Sequence, residues 1–458
     1  MWSSLGFRES PYNTNPLLSK QEDIDLLVGR ELEATELCTQ LGTAQHGVIV
    51  LSGTPGVGKT SFLNVQQYRL ENELTPFGPK ILSARTLCPV QPNDNLRTLA
   101  IRAVDSLYRS VEAWCSINEV AVPKQTQEIG KWLAGTGNAG YSIGISILGC
   151  GGTLGRTSQL PKVADASFES IADALSAIAS EVVEKLNFDS AVVALDNLEN
   201  FSDDQLGSML ISFRDTLFST PNIWWVLIGQ SGLGSLIQSL DPRVFERTTG
   251  SGIEIKPIEI ENLYEAIAIR VSKFHKSAKG QSPLTAETHK RLYEASFGEM
   301  RFVFKYSNSI CTKFVEKIRT EVLQKQEIKE YLNKPEFKQK FNIALNHEIG
   351  QILIGSQITH RLAVGYLRSI IENEIRGFQL KNKELDVLDA IGTAGKARAS
   401  DFKNFPVRSM QDFSSNYLTK LHYQNLLTRK QEGRAVTYRL RGVALLSHTF
   451  GLLKTDNK

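Results

Sequence analysis

Short apolar runs alternate with segments of helical periodicity over residues 46–256. The runs are unbroken and rich in β-branched residues, which predicts parallel strands buried on both faces. They cover residues 48–51, 80–84, 191–195, 222–231 and 253–255. Between them, apolar residues recur at helical spacing over residues 62–70, 95–111, 167–186 and 233–240. This order predicts an α/β domain built on a parallel sheet.

The first apolar run ends in a glycine-rich turn that leads into a helical pattern. The turn reads G-x-x-x-x-G-K-[ST], the pattern of a phosphate-binding P-loop. Glycines let successive backbone N–H groups turn inward around a phosphate chain, and the next helix points its positive end at the same anion. The predicted binding residues are Gly53, Thr54, Pro55, Gly56, Val57, Gly58, Lys59, Thr60 and Ser61.

Two of these residues and one distant carboxylate have specific expected roles. Lys59 is expected to bridge the β- and γ-phosphates of ATP, and the Thr60 hydroxyl to complete the shell of Mg²⁺. The buried run over residues 191–195 ends in Asp196, as expected of a central strand beside the P-loop strand. Asp196 would then hold Mg²⁺ through water, so Thr60 and Asp196 are the predicted metal-binding residues.

The motifs occur in an order that resembles the AAA+ and STAND ATPases, especially the initiator (origin-recognition) clade. They are Leu27-Val28-Gly29-Arg30-Glu31, the P-loop, Asp196, an all-helical stretch after residues 253–255, and Gly298-Glu299-Met300-Arg301. The resemblance implies a P-loop NTPase parallel sheet followed by an all-helical lid. It also implies that residues 27–31 pack beside the adenine ring, although Arg30 and Glu31 read equally well as solvated side chains at a helix start.

The residue after Asp196 departs from the family pattern. The family commonly places the catalytic glutamate there, and this chain has Asn197. An amide cannot accept the proton of the attacking water. Either Glu199 orients that water or hydrolysis is slow.

The resemblance implies further nucleotide-sensing residues. Gln230, at the end of the run over residues 222–231, fits the first sensor, with Ser231 as the alternative. Arg247, and after it Arg243, fits an arginine finger that reaches a neighbouring subunit, although an ordinary surface arginine is the competing interpretation for both. Arg301 fits the second sensor, which would couple nucleotide state to the angle of the lid.

The last part of the chain resembles the winged helix of many transcription factors. Helical patterns over residues 383–391, 401–405 and 410–426 precede a predicted β-hairpin over residues 426–440, with Glu432-Gly433 at its turn. In those proteins the third helix enters the major groove and the wing contacts the backbone or minor groove. The DNA-contact candidates are Ser414, Ser415, Asn416, Lys420 and Gln424 for the groove, with Arg429, Lys430, Arg434 and Arg439 for phosphates.

Charge is distributed unevenly along the chain. The net charge is +3 overall, but residues 361–458 contain 17 Lys and Arg against 9 Asp and Glu, and the rest 35 against 40. The C-terminal part therefore has the excess positive charge expected of a polyanion-binding module. A merely soluble basic surface is the alternative.

Composition restricts the compartment. Hydrophobic residues make up 41% of the chain and charged residues 22%, which is typical of a globular protein. No apolar run reaches the ~18 residues of a membrane span, and the N-terminus lacks a signal-peptide layout. The cysteines stand singly, without a metal-binding pair, which favours a reducing, cytoplasmic location; they are Cys38, Cys88, Cys115, Cys150 and Cys311.

The predicted domain boundaries follow these patterns. We expect an N-terminal segment (1–45), a P-loop core (46–256), a helical lid (257–315), a charged helical connector (316–375) and a winged helix (376–458). Within the core, eight of the 21 residues from Gly135 to Gly155 are glycine. Alternating apolar residues at 141–147 predict that this insertion, about residues 135–160, is a β-hairpin or mobile flap.

The sequence therefore predicts a switch that binds ATP and Mg²⁺, forms a homo-oligomer when ATP is bound, and binds duplex DNA through its winged helix. A signalling or defence scaffold, whose winged helix is a protein-docking arm, is the alternative. A small-molecule kinase is the third class, but it would leave the helical lid and the wing unexplained.

Overall fold

The chain forms two compact units. The computed structural model describes residues 1–76, 78–135, 141–146, 155–160, 163–277, 280–324, 357–432 and 435–454. Pro16–Lys256 form one unit, here called the sheet unit, and Met1–Asn15 with Pro257–Lys458 form the other, the helical unit. The N-terminal segment predicted over residues 1–45 is therefore divided between the two units.

Parallel strands form the centre of the sheet unit, as the sequence predicts. In chain order its strands are β1 (Gly47–Gly53), β2 (Ile81–Leu82), β3 (Cys88–Pro89), β4 (Tyr141–Ser146), β5 (Gly155–Leu160), β6 (Ser190–Asp196), β7 (Ile223–Gly229) and β8 (Ile253–Ile255). Among the described residues the parallel sheet has the order β2-β6-β7-β1-β8, and β3 also pairs with β6.

One expectation about this sheet is wrong. The sequence predicts the strand that ends in Asp196 beside the P-loop strand β1, but β7 lies between β6 and β1. β7 is buried along its whole length, including Trp224 and Trp225, so it occupies the centre of the sheet. Both neighbours run parallel to it, and the carboxyl ends of β1, β6 and β7 therefore lie at the same edge.

Alternating side chains on the central strands explain why helices cover both faces of the sheet. Val48 and Val50 of β1 belong to one apolar core, and Ile49 and Leu51 belong to another. The first core includes helices Leu96–Ile117, Lys124–Leu133, Phe168–Leu186, Asp203–Arg214, Leu233–Leu240 and Pro242–Glu246. The second includes helices Glu31–Leu41 and Lys59–Glu71.

The two described strands of the glycine-rich insertion pair with each other. β4 pairs with β5 in antiparallel register, with Tyr141 opposite Leu160 and Ser146 opposite Gly155. This pairing agrees with the β-hairpin alternative that alternation over residues 141–147 predicts. Residues 147–154, which include part of the predicted alternation, lie outside the described residues.

The helical unit contains the predicted lid. Its longer helices, among the described residues, are Ile260–Phe274, Ala286–Ala295, Met300–Gln324, His360–Gly377, Asn382–Ala394 and Val443–Thr449. The N-terminal residues pack against the first of these helices: Phe7 is buried and the Arg8 N–H donates to the carbonyl oxygen of Phe274 (2.7 Å). Of the predicted connector, residues 325–356 lie outside the described part of the chain.

The C-terminal residues have the helix and hairpin order predicted for a winged helix. After Asn382–Ala394 come a 3₁₀ turn, Ala399–Asn404, and three consecutive helical segments, Met410–Asp412, Phe413–Thr419 and Lys420–Tyr423, the middle one π-helical. This helical run ends before the predicted residue 426 because Asn425 adopts a left-handed conformation (φ 58°). Strands β9 (Leu427–Glu432) and β10 (Ala435–Leu440) then form an antiparallel hairpin.

This region is docked within the helical unit by its last helix. The Gly442 N–H donates to the carbonyl oxygen of Ala295 (3.3 Å), and Arg441 forms an ion pair with Glu299. Leu446 is buried in the apolar core of the lid helices. The docking surface is therefore formed around Arg441–Leu446, not by the helical run Met410–Tyr423.

No helix among the described residues combines the length and the apolar character that a membrane crossing requires.

His289 is a buried polar group within the helical unit. Its Nε2 lies 3.1 Å from the hydroxyl of Tyr12, which is also 2.9 Å from Ser282 Oγ. Burial lowers the pKa of His289 to about 4, against about 6.5 in an unfolded chain. The folded state therefore favours the neutral imidazole, and the resulting stabilisation is complete above the unfolded pKa and lost as pH falls towards 4.

We expect the free energy of unfolding to decrease between about pH 7 and pH 4.5 more steeply in the wild type than in His289→Gln, by up to about 3 kcal/mol. Urea unfolding at a series of pH values measures this difference. His46→Gln is the matched control because His46 is exposed, and it should keep the wild-type pH dependence. Equal pH dependence in all three proteins would contradict the assignment.

Candidate functional site

The turn after β1 has the backbone conformation of a phosphate-binding loop. Gly56 (φ 75°) and Gly58 (φ 103°) adopt positive φ, a region that favours glycine. At Gly53 a Cβ would lie 2.5 Å from the carbonyl oxygen of Ile255, so neighbouring β8 also requires glycine there. Gly58 leads directly into helix Lys59–Glu71, whose first N–H groups face the loop.

Lys59 lies folded over this loop. Its Nζ donates hydrogen bonds to the carbonyl oxygens of Gly53 (2.8 Å) and Thr54 (3.3 Å), and the side chain is buried. A buried ammonium requires such partners, since desolvating a charge without them is costly. The amino group is therefore held at the loop, where phosphate oxygens could replace the two carbonyls as acceptors.

Thr60 and Asp196 come together at the carboxyl edge of the sheet. Thr60 Oγ1 donates to Asp196 Oδ2 over 3.3 Å, although the residues lie 136 positions apart in the chain. Asp196 Oδ1 accepts a hydrogen bond from the Asn197 N–H (2.8 Å), which fixes the carboxylate. A hydroxyl and a carboxylate beside a phosphate loop form the oxygen donor set that suits Mg²⁺. The two predicted metal-binding residues are thus adjacent.

The residues that follow β6 and β7 lie at this same edge. Asn197 is exposed and left-handed (φ 62°), a conformation that asparagine tolerates better than most residues. Glu199 is exposed in the 3₁₀ turn Leu198–Asn200. Gln230 and Ser231 follow directly after β7. The structure therefore places the candidate water-orienting and sensor residues near the edge that holds Asp196.

Arg30 is a site residue whose environment the sequence left open. It is 5% exposed, so the interpretation of a solvated side chain is wrong. Its guanidinium donates to the carbonyl oxygens of Val57 (3.0 Å) and Lys256 (2.6 Å) and pairs with Glu33 (2.9 Å). In the sequence, the i, i+3 spacing of Arg30 and Glu33 at a helix start could have indicated this ion pair.

Ser61 has a partner that the sequence did not indicate. The Leu17 N–H donates to Ser61 Oγ (3.0 Å), and Asn64 Nδ2 donates to the carbonyl oxygen of Leu17 (2.8 Å). Residues 16–26 had no regular pattern, so nothing in the sequence indicated where they pack. They lie against the helix that begins at Lys59.

The two finger candidates differ in their surroundings. Arg247 donates to the carbonyl oxygen of Arg214, to Ser219 Oγ (2.8 Å) and to Asp215 Oδ1 (3.0 Å). Hydrogen bonding from Arg214, together with Arg247, holds the pKa of Asp215 below its usual value. Arg243 is exposed on the short helix Pro242–Glu246.

Arg301, the candidate second sensor, belongs to the helical unit. It is exposed at the second position of helix Met300–Gln324. Gly298 before it has φ 83°, and a Cβ there would lie 2.4 Å from Cβ of Pro257. The glycine of the G-x-x-R motif is therefore required by close packing at the start of the lid.

Several DNA-contact candidates have intramolecular partners. Lys420 pairs with the buried carboxylate of Glu384 (2.5 Å), and Asn416 donates to Asp412 (2.9 Å). Ser415 is exposed, and Ser414 and Gln424 are half-buried. Lys420 therefore has a structural role that the sequence did not indicate.

The hairpin candidates Arg429 and Arg439 lie on the two strands of the wing. Arg429 lies opposite Tyr438 and Arg439 opposite Thr428, so the two arginines belong to opposite faces of the hairpin. The side chain of Lys430 and all of Arg434 lie outside the described residues.

Comparison with known proteins gives similar solved structures. No protein-family model matches the chain, and no curated protein matches it. The ORC2 protein of Aeropyrum pernix in ADPNP–ADP complexes is 14% identical, with 98% of each chain covered and a TM-score of 0.44. The ORC1 protein of the same organism in complex with DNA is 13% identical, with 96% of each chain covered and a TM-score of 0.44.

A third similar structure is the Cdc6p protein of Pyrobaculum aerophilum, which is 12% identical, with 97% of each chain covered and a TM-score of 0.35. The fold assignment itself rests on the strand order and the phosphate loop described above.

We expect Gly58→Ala to destabilise the protein by about 1–2 kcal/mol, because an alanine at φ 103° is strained. Apart from residues next to it in the chain, no described residue has an atom within 4 Å of the place that the new Cβ would take, so strain is the expected cause. The control is Gly207→Ala within helix Asp203–Arg214, where the new Cβ meets only Leu240 at 3.9 Å among the described residues. That change should be neutral or slightly stabilising. Urea unfolding giving equal losses for both variants would contradict the strain argument.

Proposed function

We propose that this protein is an ATP-binding molecular switch of the AAA+ type that binds Mg²⁺, hydrolyses ATP slowly and couples nucleotide state to duplex DNA binding. The observation that carries the proposal is the joint placement of Lys59, Thr60 and Asp196 around the loop after β1. An ammonium, a hydroxyl and a carboxylate at a glycine-rich loop match the charges of a magnesium triphosphate.

The residues present fit a phosphate chain and a divalent cation. The loop N–H groups and the N-terminus of helix Lys59–Glu71 would hold the phosphates. Lys59 would transfer its hydrogen bonds from the carbonyl oxygens of Gly53 and Thr54 to phosphate oxygens. Thr60 and Asp196 would hold Mg²⁺, which supplies charge neutralisation for phosphoryl transfer when bound.

Slow hydrolysis follows from the residue after Asp196. The amide of Asn197 cannot act as a general base, and its left-handed backbone is a conformation unfavourable for glutamate. We assign orientation of the attacking water to Glu199, which is exposed in the next turn. Gln230, beyond the end of β7, is the proposed first sensor.

The contacts of the two arginine-finger candidates favour Arg243 over Arg247. Arg247 would have to leave Asp215 and Ser219 before contacting a neighbouring subunit, whereas exposed Arg243 would not. We therefore propose Arg243 as the finger in an ATP-bound homo-oligomer, with Arg247 holding the adjoining turn. Arg301 remains the proposed second sensor.

The exposed face of the helical run Met410–Tyr423 supports a DNA role. The surface that docks on the lid helices lies at Arg441–Leu446, which leaves Ser415 exposed. Arg429 and Arg439, on opposite faces of the hairpin, would contact phosphates on both sides of a groove that the hairpin enters. Lys430 and Arg434 are proposed to add to this contact, and Lys420 chiefly to neutralise Glu384.

A signalling or defence scaffold is the second candidate, and one specific observation favours it. The winged helix is anchored to the lid helices by the Arg441–Glu299 ion pair and by buried Leu446. In that case ATP would gate self-assembly and the winged helix would be a protein-docking arm without a DNA function.

We expect Glu199→Gln to reduce ATP turnover by at least about tenfold, because it removes the carboxylate assigned to the attacking water. Phosphate release by the full chain measures the rate, with and without duplex DNA. Asp204→Asn, an exposed acid in the first turn of the next helix, should keep wild-type turnover. Unchanged turnover in Glu199→Gln would show that another residue orients the water.

We expect duplex DNA binding in Mg·ATP to weaken by at least about tenfold in a double variant, Arg429→Glu with Arg439→Glu. Loss of two phosphate contacts should also reduce the slope of log affinity against log salt by about 1.8. Arg361→Glu with Arg368→Glu is the control, since it makes the same charge change at exposed positions of helix His360–Gly377.

The nucleotide arm of this experiment separates the two candidate functions. The switch requires tighter DNA binding in Mg·ATP than in Mg·ADP, and loss of that difference in Lys59→Ala. ATP-dependent oligomers without any duplex binding would instead support the scaffold.

A further inference from the structure

The chain passes between the two units at two places. It leaves the helical unit between Asn15 and Pro16 and returns to it between Lys256 and Pro257. We call the sheet-unit residues Pro16–Leu18 and Ile255–Lys256 the first and second junctions. The first junction is hydrogen-bonded to the helix that follows the loop, and the second to Arg30, which is itself hydrogen-bonded to the loop.

The first junction is held by the helix that follows the loop. Leu17 is buried, its N–H donates to Ser61 Oγ (3.0 Å), and its carbonyl oxygen accepts from Asn64 (2.8 Å). Ser61 directly follows Thr60, whose hydroxyl contacts Asp196. A movement of the first turn of helix Lys59–Glu71 would therefore shift Ser61 Oγ, which accepts the hydrogen bond from the Leu17 N–H.

The second junction is held by Arg30. One guanidinium nitrogen donates to the carbonyl oxygen of Lys256 (2.6 Å) and the other to that of Val57, inside the loop (3.0 Å). The side chain is almost fully buried and its rigid fork joins the two carbonyls at fixed geometry. Moving either carbonyl alone would weaken one hydrogen bond of this buried guanidinium, although the nitrogen that contacts Lys256 also pairs with Glu33.

We infer that Ser61 and Arg30 are positioning residues that transmit occupancy of the phosphate loop to the first and second junctions, respectively. The inference rests on the proposed nucleotide binding at this loop. When phosphates draw the loop N–H groups and Lys59 towards them, Val57 and Ser61 change position with the loop. Arg30 and the Leu17 N–H then carry that change to the chain segments that enter and leave the helical unit.

Hydrogen exchange measured on the full chain, with and without Mg·ADP, tests this assignment. Three segments are followed: the loop itself (53–61), residues 16–28 and residues 250–264. In the wild type we expect all three to exchange at least about threefold more slowly with Mg·ADP.

The variants should give a crossed pattern. Ser61→Ala should abolish the response of residues 16–28 and keep that of residues 250–264, and Arg30→Ala should do the reverse. General loosening of the fold would instead reduce both responses together. Arg30→Lys, which keeps the charge but cannot span both carbonyls, replaces Arg30→Ala if that variant does not fold. Thr35→Ala, at an exposed position of helix Glu31–Leu41, should keep the wild-type pattern.

The outcomes separate failure of the inference from failure of the proposed function. No slowing of the loop segment in the wild type would overturn nucleotide binding and the inference with it. A slowed loop with unresponsive junctions, or equal effects of both variants on both junctions, would overturn the inference alone.

Discussion

The contact between Thr60 and Asp196 depends on the order of strands in the parallel sheet. Asp196 ends β6 and Thr60 follows β1, two strands that are not neighbours, and β7 between them brings their carboxyl ends to one edge. β7 is buried along its whole length, which its uninterrupted apolar sequence allows. The position of this strand therefore decides which residues meet at the carboxyl edge of the sheet.

The local parts of this site could be predicted from the sequence, because their chemistry is contained in a few consecutive residues. The glycines of the loop, Lys59 and the run that ends in Asp196 all have a pattern that local geometry explains. The position of β7 could not be predicted, since every buried parallel strand has a similar apolar pattern. The order of the strands depends on how the helices pack on the two faces of the sheet. The apolar periodicity of a single element does not encode that packing.

Long-range contacts could likewise not be predicted from the sequence. From the sequence alone, Arg30 could be solvated or buried, and its contacts with the carbonyl oxygens of Val57 and Lys256 show that it is buried. Lys420 is a residue type suited to contacting a DNA groove, yet its partner is Glu384, which lies on a different helix. Met1–Asn15 had no periodicity and nevertheless supplies buried Phe7 and Tyr12 to the helical unit. In each case the partner is distant in the chain.

The two units divide the proposed work between them. The sheet unit contains the proposed phosphate loop and the proposed metal-binding pair, and the helical unit contains the lid helices together with the basic hairpin. Among the described residues, the contacts of Arg441–Leu446 with the lid helices leave exposed positions such as Ser415 on the run Met410–Tyr423. The two junctions, Pro16–Leu18 and Ile255–Lys256, are the places where the described chain passes between the units, and both are hydrogen-bonded within the sheet unit.

The central claim is that a magnesium triphosphate binds at the loop after β1, held by Lys59. Isothermal titration calorimetry of the full chain with Mg·ATP tests it most directly, with Lys59→Ala and the control variant Thr35→Ala, at an exposed position of helix Glu31–Leu41, in parallel. We predict saturable heat in the wild type and in Thr35→Ala, and its loss in Lys59→Ala. Absence of heat in the wild type, or an equal affinity in Lys59→Ala, would contradict it.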